Sequence, residues 1–199
     1  MHVDAPFRRR LRRWEAEDRI RFVTFSCHRR LPLLTNHRIC RLLLDGLERV
    51  RTAHAVQVIA WVFMPEHVHM LVRPGPTVAL GTSLRSMKMA VSKRVIARWR
   101  TLDAPILNRV ASRTGPRFWQ AGGGFDRNVR DEEELTREIR YIHENPVERG
   151  LVARPELWPW SSIRWWMGAR DGEFPCCYPR GLGWEKWQGY VSRNRTAES

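Results

Sequence analysis

Two histidines, one residue apart, interrupt an apolar run: WVFMPEHVHMLVRP, residues 61–74. Side chains of a strand alternate between faces with a period of two. His67 and His69 therefore project to one side, and Val68, Met70 and Val72 to the other. Neutral imidazoles at adjacent same-face positions can share one metal ion. The bland alternative is a pair of ordinary hydrogen-bonded histidines, but the apolar residues at the alternate positions favour metal. A structural zinc site would want two more ligands. Cys27, Cys40, Cys176 and Cys177 stand singly or as an adjacent pair, with no C-x-x-C, and are read as reduced thiols.

The second reactive group is a phenol. Only Tyr141, Tyr178 and Tyr190 are tyrosines, and Tyr141 falls in RDEEELTREIRYIHEN, residues 130–145. The spacing predicts a helix there, with Leu135, Ile139 and Ile142 as its buried stripe and a stop at Pro146. At about 100° per residue, Tyr141 points roughly 160° away from Ile139. It shares its side with Glu134, Arg137 and Asn145, the last one turn further on. An idle surface tyrosine is the alternative. A phenol, with a free pKa of about 10, ionises more easily than an alcohol and leaves more easily from a phosphate ester. Beside a metal ion that offsets charge on phosphoryl oxygens, it suits covalent strand transfer on nucleic acid.

Charge supports a polyanionic partner. The 199 residues carry a net charge of +14, and lysine occurs only at Lys88, Lys93 and Lys186. The rest is arginine, whose planar fork suits phosphate. Lys88, Lys93 and Arg94 on a second long helix could track a DNA backbone; a solvated polar face is the alternative. Trp158, Trp160, Trp165 and Trp166 interleave with Arg154 and Arg164. They could stack on bases, but a satellite core packed on the sheet is the favoured reading. No apolar stretch is long enough for a membrane span, and the basic N-terminus lacks the apolar region of a secretory signal. A cytoplasmic protein, nucleoid-associated in a bacterium, is expected.

These groups need a scaffold. Strands are predicted over 20–27, 56–64 and 67–73, and helices over 36–55 (capped by Asn36) and 82–100. A strand with a glycine-rich interruption follows over 117–129, then the tyrosine helix. The order β-α-β-β-α-β-α is that of an α+β, ferredoxin-like antiparallel sheet with helices on its faces and a tyrosine-bearing helix appended. Three parts are expected: a basic arm over 1–18, a catalytic domain over 19–150, and a Trp/Arg-rich extension over 151–199 packing on it.

The segment MPEHVHMLV resembles the His-hydrophobic-His motif of HUH nucleases. YIHENPVERGLV followed by WPWSS resembles the tyrosine segment of single-tyrosine transposases, and RFVTFSCHRRLPLL the first strand and loop of REP-associated tyrosine transposases. The resemblance covers roughly residues 8–166. It implies Mg²⁺ or Mn²⁺ held by His67, His69 and Asn145, and attack by Tyr141 on single-stranded DNA near palindromic hairpins, giving a 5′-phosphotyrosine and a free 3′-OH. It also implies that Arg8, Arg9, Arg10, Arg12 and Arg13 form an arm touching the hairpin. Glu66 stands where the family often has Asn or Asp, with little consequence expected. The run Gly122–Gly124 departs from the family pattern, and is read as a close approach to phosphate or a hinge. Monomer and homodimer both remain open, as do two other functions: a non-catalytic binder of structured DNA and a replication-initiator-like nickase.

Overall fold

The structure is a computed structural model that describes residues 19–122, 124–169 and 174–177. The basic arm, Arg8–Arg13 included, lies outside the described residues. Strands β1 (Arg21–Ser26), β2 (Gln57–Phe63), β3 (His67–Arg73) and β4 (Phe125–Asn128) form one antiparallel sheet in the order β2-β3-β1-β4. This is the expected ferredoxin-like arrangement. The predicted strand over 117–129 shrinks to the four residues of β4. Before it, Trp119 makes only an isolated bridge to Cys27, and the backbone has positive φ at Gly122 and Gly124.

Helices α1 (His37–Ala53) and α2 (Leu80–Thr101) cover one face of the sheet. Asn36 caps α1 as expected, its side-chain oxygen accepting from the Arg38 and Ile39 amides. The stripe Ile39, Leu43, Leu47 and Val50 is buried, as are Leu84, Met87, Val91 and Val95 of α2. A Cβ on Gly46 would stand 3.0 Å from Met87 and 3.6 Å from Val91. The missing side chain is thus what lets the two helices pack closely. A short helix α3 (Ile106–Arg109) follows, which the sequence pattern did not announce.

Helix α4 (Glu132–Glu148) lies on the opposite face. Asp131 caps it, accepting from the Glu134 amide at 2.7 Å, and three glutamates in its first turn suit the positive end of the helix dipole. Leu135, Ile139 and Ile142 are buried as predicted. The helix does not stop at Pro146. A proline near a C-terminus forgoes one amide donor, and α4 tolerates this for its last three residues. The true stop is Gly150, at φ 66. Its amide donates to the Val147 carbonyl at 2.8 Å and the Leu151 amide to the Pro146 carbonyl at 2.9 Å. That is the Schellman pattern, which needs a left-handed residue just past the helix.

The described part of the C-terminal segment shields the free edge of β2. The Phe63 amide donates to the Trp160 carbonyl, the Ser162 amide to the Trp61 carbonyl, and the Cys177 amide to the Val58 carbonyl. The Trp158 and Trp166 indoles donate to the carbonyls of Phe63 and Ile59, each at 3.0 Å. An unpaired edge would otherwise be open to another strand. Trp160, Trp165 and Trp166 are buried, the last two on the short helix α5 (Ile163–Trp166). They are packing residues rather than surfaces for bases. All four cysteines are free thiols. Among the described residues, no helix is long and apolar enough to cross a membrane.

Candidate active site

Register puts the histidines where the period-two argument requires. Thr24 and Ser26 of β1 lie opposite His69 and His67 of β3, so all four side chains share the face that α4 covers. The two Nε2 atoms are 2.9 Å apart, with the rings nearly perpendicular at 81°. Each Nδ1 turns away to a partner: His67 to the Glu66 carboxylate at 3.0 Å, His69 to the Thr24 hydroxyl at 2.6 Å.

Tyr141 reaches this pair from α4. Its hydroxyl is 3.4 Å from His69 Nε2 across 72 positions of sequence. Its ring lies against Phe22 and His69, with centroids 6.1 Å and 5.2 Å away. The residue is 37% exposed, so the phenol is fixed on one side and open on the other. The side it shares is not a solvent face, because Glu134 and Asn145 are both buried. Glu134 accepts from the Arg130 amide and pairs with the Arg127 and Arg130 guanidiniums. The Arg130 amide leads in holding its carboxyl down to about 2. Asn145 has a buried side-chain oxygen with no hydrogen-bond partner. A buried carbonyl oxygen left in this state costs roughly 1–3 kcal/mol, which a ligand could relieve.

Glu66 has partners that its neighbours in sequence do not announce. Only 8% exposed, it accepts from Arg30 at 3.0 Å and Arg149 at 3.1 Å as well as facing His67. Burial acts to raise its carboxyl, but His67 and Arg149 outweigh that and it lies below its ordinary value. Arg149 caps the C-terminal end of α4, so one carboxylate ties the tyrosine helix to the histidine strand. Neither arginine contact is visible in local sequence, since the partners are 36 and 83 residues away.

Electrostatics favour neutral imidazoles. Burial pushes His67 down, partly opposed by Glu66, and burial together with His67 pushes His69 down to about 3. Neutral rings have the lone pairs that a metal needs. The spacing also fits a hard divalent ion: two neighbouring ligands at about 2.1 Å in an octahedron stand about 3.0 Å apart. Among the described residues, no three His, Cys, Asp or Glu side chains gather as a ligand cluster. The imidazole pair stands on β3, and Asn145 one helical turn beyond Tyr141 on α4.

The basic residues expected on α2 are divided. Lys93 and Arg94 are exposed. Lys88 is half-buried, its ammonium 5.0 Å from the Phe25 ring centroid, and burial lowers its pKa. All three belong to the helix on the sheet face opposite Tyr141, away from the histidine pair. Gly124 approaches β1 closely: a Cβ there would meet the Thr24 carbonyl oxygen at 2.1 Å.

Known proteins resemble this chain in sequence and fold. A curated relative, the REP-associated tyrosine transposase of Escherichia coli (strain K12), is 26% identical over 138 residues, 68% of this chain and 70% of that one. A solved structure of a REP-associated tyrosine transposase bound to a REP hairpin superposes with a TM-score of 0.60 at 20% identity, covering 86% of this chain and 98% of the other. A putative transposase from Deinococcus radiodurans is more distant, with a TM-score of 0.43 at 17% identity, covering 73% and 97%. The family model described as "Transposase IS200 like" matches residues 19–145, from just before β1 to the asparagine one turn past Tyr141. That match spans well over half of the chain and both reactive elements, and the protein belongs to the IS200-like transposase family.

Proposed function

We propose that the protein cuts and rejoins single-stranded DNA beside palindromic hairpins, with Tyr141 as nucleophile. The phenolic oxygen forms a bond to the scissile phosphorus, and the bond to the 3′ oxygen breaks. A 5′-phosphotyrosine and a 3′-OH result, the phenol giving up its proton to solvent and the 3′ oxygen taking one up. Attack by a second 3′-OH reverses the chemistry and reseals the strand. The observation that carries this reading is the 3.4 Å separation of the Tyr141 hydroxyl and His69 Nε2, which joins the two reactive elements within one chain.

Mg²⁺ or Mn²⁺ is the proposed cofactor, held by His67, His69 and Asn145. Bound there, it would offset charge on the phosphoryl oxygens. The chain's own residues do the rest. Phe22 and the α4 backbone orient the phenol, and Glu66 and Thr24 turn both Nε2 atoms inward. The substrate class is supported by a structural relative bound to a REP hairpin and by the net charge of +14. Lys93 and Arg94 are proposed to hold DNA backbone at a distance from the cut, and Lys88 to contribute less because it is half-buried.

The test uses the full chain, a labelled hairpin oligonucleotide with single-stranded flanks, and Mn²⁺. On a denaturing gel, wild type yields a covalent adduct, while Tyr141→Phe yields none and still shifts the hairpin on a native gel. Equal adduct from both proteins would refute the nucleophile. Binding without adduct in wild type would favour a non-catalytic binder.

A further inference from the structure

The two histidines look equivalent in sequence, yet their outer partners differ in kind. A carboxylate only accepts hydrogen bonds, whereas a threonine hydroxyl both donates and accepts. His67 faces Glu66 at 3.0 Å, with Arg30 and Arg149 on the same carboxylate oxygen. Its Nδ1 must therefore carry the proton, which leaves a lone pair on Nε2. That lone pair lies 2.9 Å from His69 Nε2. Two facing lone pairs at this distance repel unless a cation lies between them, so without a cation His69 would be protonated on Nε2 and donate to His67. His69 Nδ1 is then an acceptor, and the Thr24 hydroxyl at 2.6 Å donates to it.

A cation between the rings needs both Nε2 lone pairs at once. His67 is already in the required form, but His69 is not. Its proton has to move from Nε2 to Nδ1, and Thr24 has to turn from donor to acceptor. No charge is gained or lost, and the hydroxyl satisfies either state. We propose that Glu66 and Thr24 are unequal positioning residues: Glu66 locks His67 in one tautomer, and Thr24 lets His69 exchange tautomers when a divalent cation enters. The inference rests on the metal reading given under Proposed function. Family membership does not imply it.

The experiment reads the histidine nitrogens directly. Long-range ¹H–¹⁵N correlation spectra of the full chain at about pH 8, where free imidazole is neutral, would be recorded metal-free and with saturating Mg²⁺. Mn²⁺ affinity is measured separately by calorimetry. Wild type is expected to show His67 protonated on Nδ1 in both states, and His69 protonated on Nε2 without metal and on Nδ1 with it. Glu66→Ala should let His67 populate both tautomers, and Thr24→Val should leave His69 without a partner for either. Each should weaken Mn²⁺ by about 10–100-fold, the usual effect of losing an outer partner of a ligand. Glu66→Gln and Thr24→Ser should restore most of the affinity, which a purely packing role would not explain.

Metal-free His67 protonated on Nε2 would overturn the lock. Thr24→Val binding Mn²⁺ within about twofold of wild type, with His69 still exchanging, would overturn the role of the hydroxyl. Wild type with the expected metal-free tautomers but no uptake of Mn²⁺ or Mg²⁺ would strike down the metal reading itself, and the exchange at His69 with it, while the lock on His67 stood.

Discussion

Gly124→Ala offers a sharp test of how the sheet holds the site together. Gly124 has φ 79, and a Cβ there would sit 2.1 Å from the Thr24 carbonyl oxygen and 3.1 Å from Phe25 Cβ. Thr24 cannot retreat. It lies in β1, paired on one side with β3 and on the other with β4, and its hydroxyl meets His69. The entry to β4 must move instead, by more than about 1.3 Å to reach ordinary contact. A non-glycine residue in the left-handed region costs about 1–2 kcal/mol. Weakening one or two ladder hydrogen bonds between β1 and β4 adds about 0.5–1.5 kcal/mol each. The sum is a destabilisation of about 1.5–5 kcal/mol, read by urea denaturation. Gly122→Ala is the control: φ is 95, with nothing within 4 Å of the added carbon, so it should cost only about 1–2 kcal/mol, the conformational part. Adduct formation at a temperature where both variants are folded should drop further for Gly124→Ala, because the strain falls beside the partner of His69. If the two alanines cost the same, the packing argument is wrong.

Two further outcomes follow from burial and charge. His69 and His143 are each held down to about 3, chiefly by burial, so between about pH 6.5 and 3 the unfolded chain binds protons that the folded chain refuses. Stability then rises with pH across that window and is lost as pH falls, by up to about 1.4 kcal/mol per pH unit for each group. Urea midpoints at pH 7 and 5 should differ accordingly, and His143→Gln should flatten the slope; equal midpoints would contradict the sign. Lys93→Gln with Arg94→Gln should leave the Tyr141 adduct intact at low salt and weaken hairpin binding. The salt slope of binding should become shallower by about 0.7–0.9 for each phosphate that these side chains no longer neutralise. An unchanged slope would remove both residues from the DNA path.

Much of the architecture is local, and local pattern is readable. Alternation over residues 67–73 assigned β3 with its bounds and put both histidines on one face. Asn36 before an apolar period announced α1. The angular offset between Tyr141 and Ile139 separated the phenol from the core stripe. Where the reading missed, a non-local contact or a later signal decided. Pro146 suggests a stop, but a proline so close to a helix end forgoes one hydrogen bond, whereas Gly150 supplies the left-handed turn that closes α4; the ERGL segment held that signal. The length of β4 depends on pairing with β1, which periodicity does not report.

By itself, the sequence determined the reactive inventory and its sides: an imidazole pair on one strand face, a phenol turned from its helix's core stripe, and a chain charged for a polyanion. These follow from fixed repeats of 2 and about 3.6 residues, which belong to the backbone. Only the tertiary structure decided that the phenol meets the imidazoles, that Glu66 and Thr24 complete them, and that tryptophans 160, 165 and 166 serve packing. Those outcomes depend on which strands pair and which helix lies over them. Contacts between residues 36 to 107 positions apart are set by the burial of the whole core, not by any segment alone.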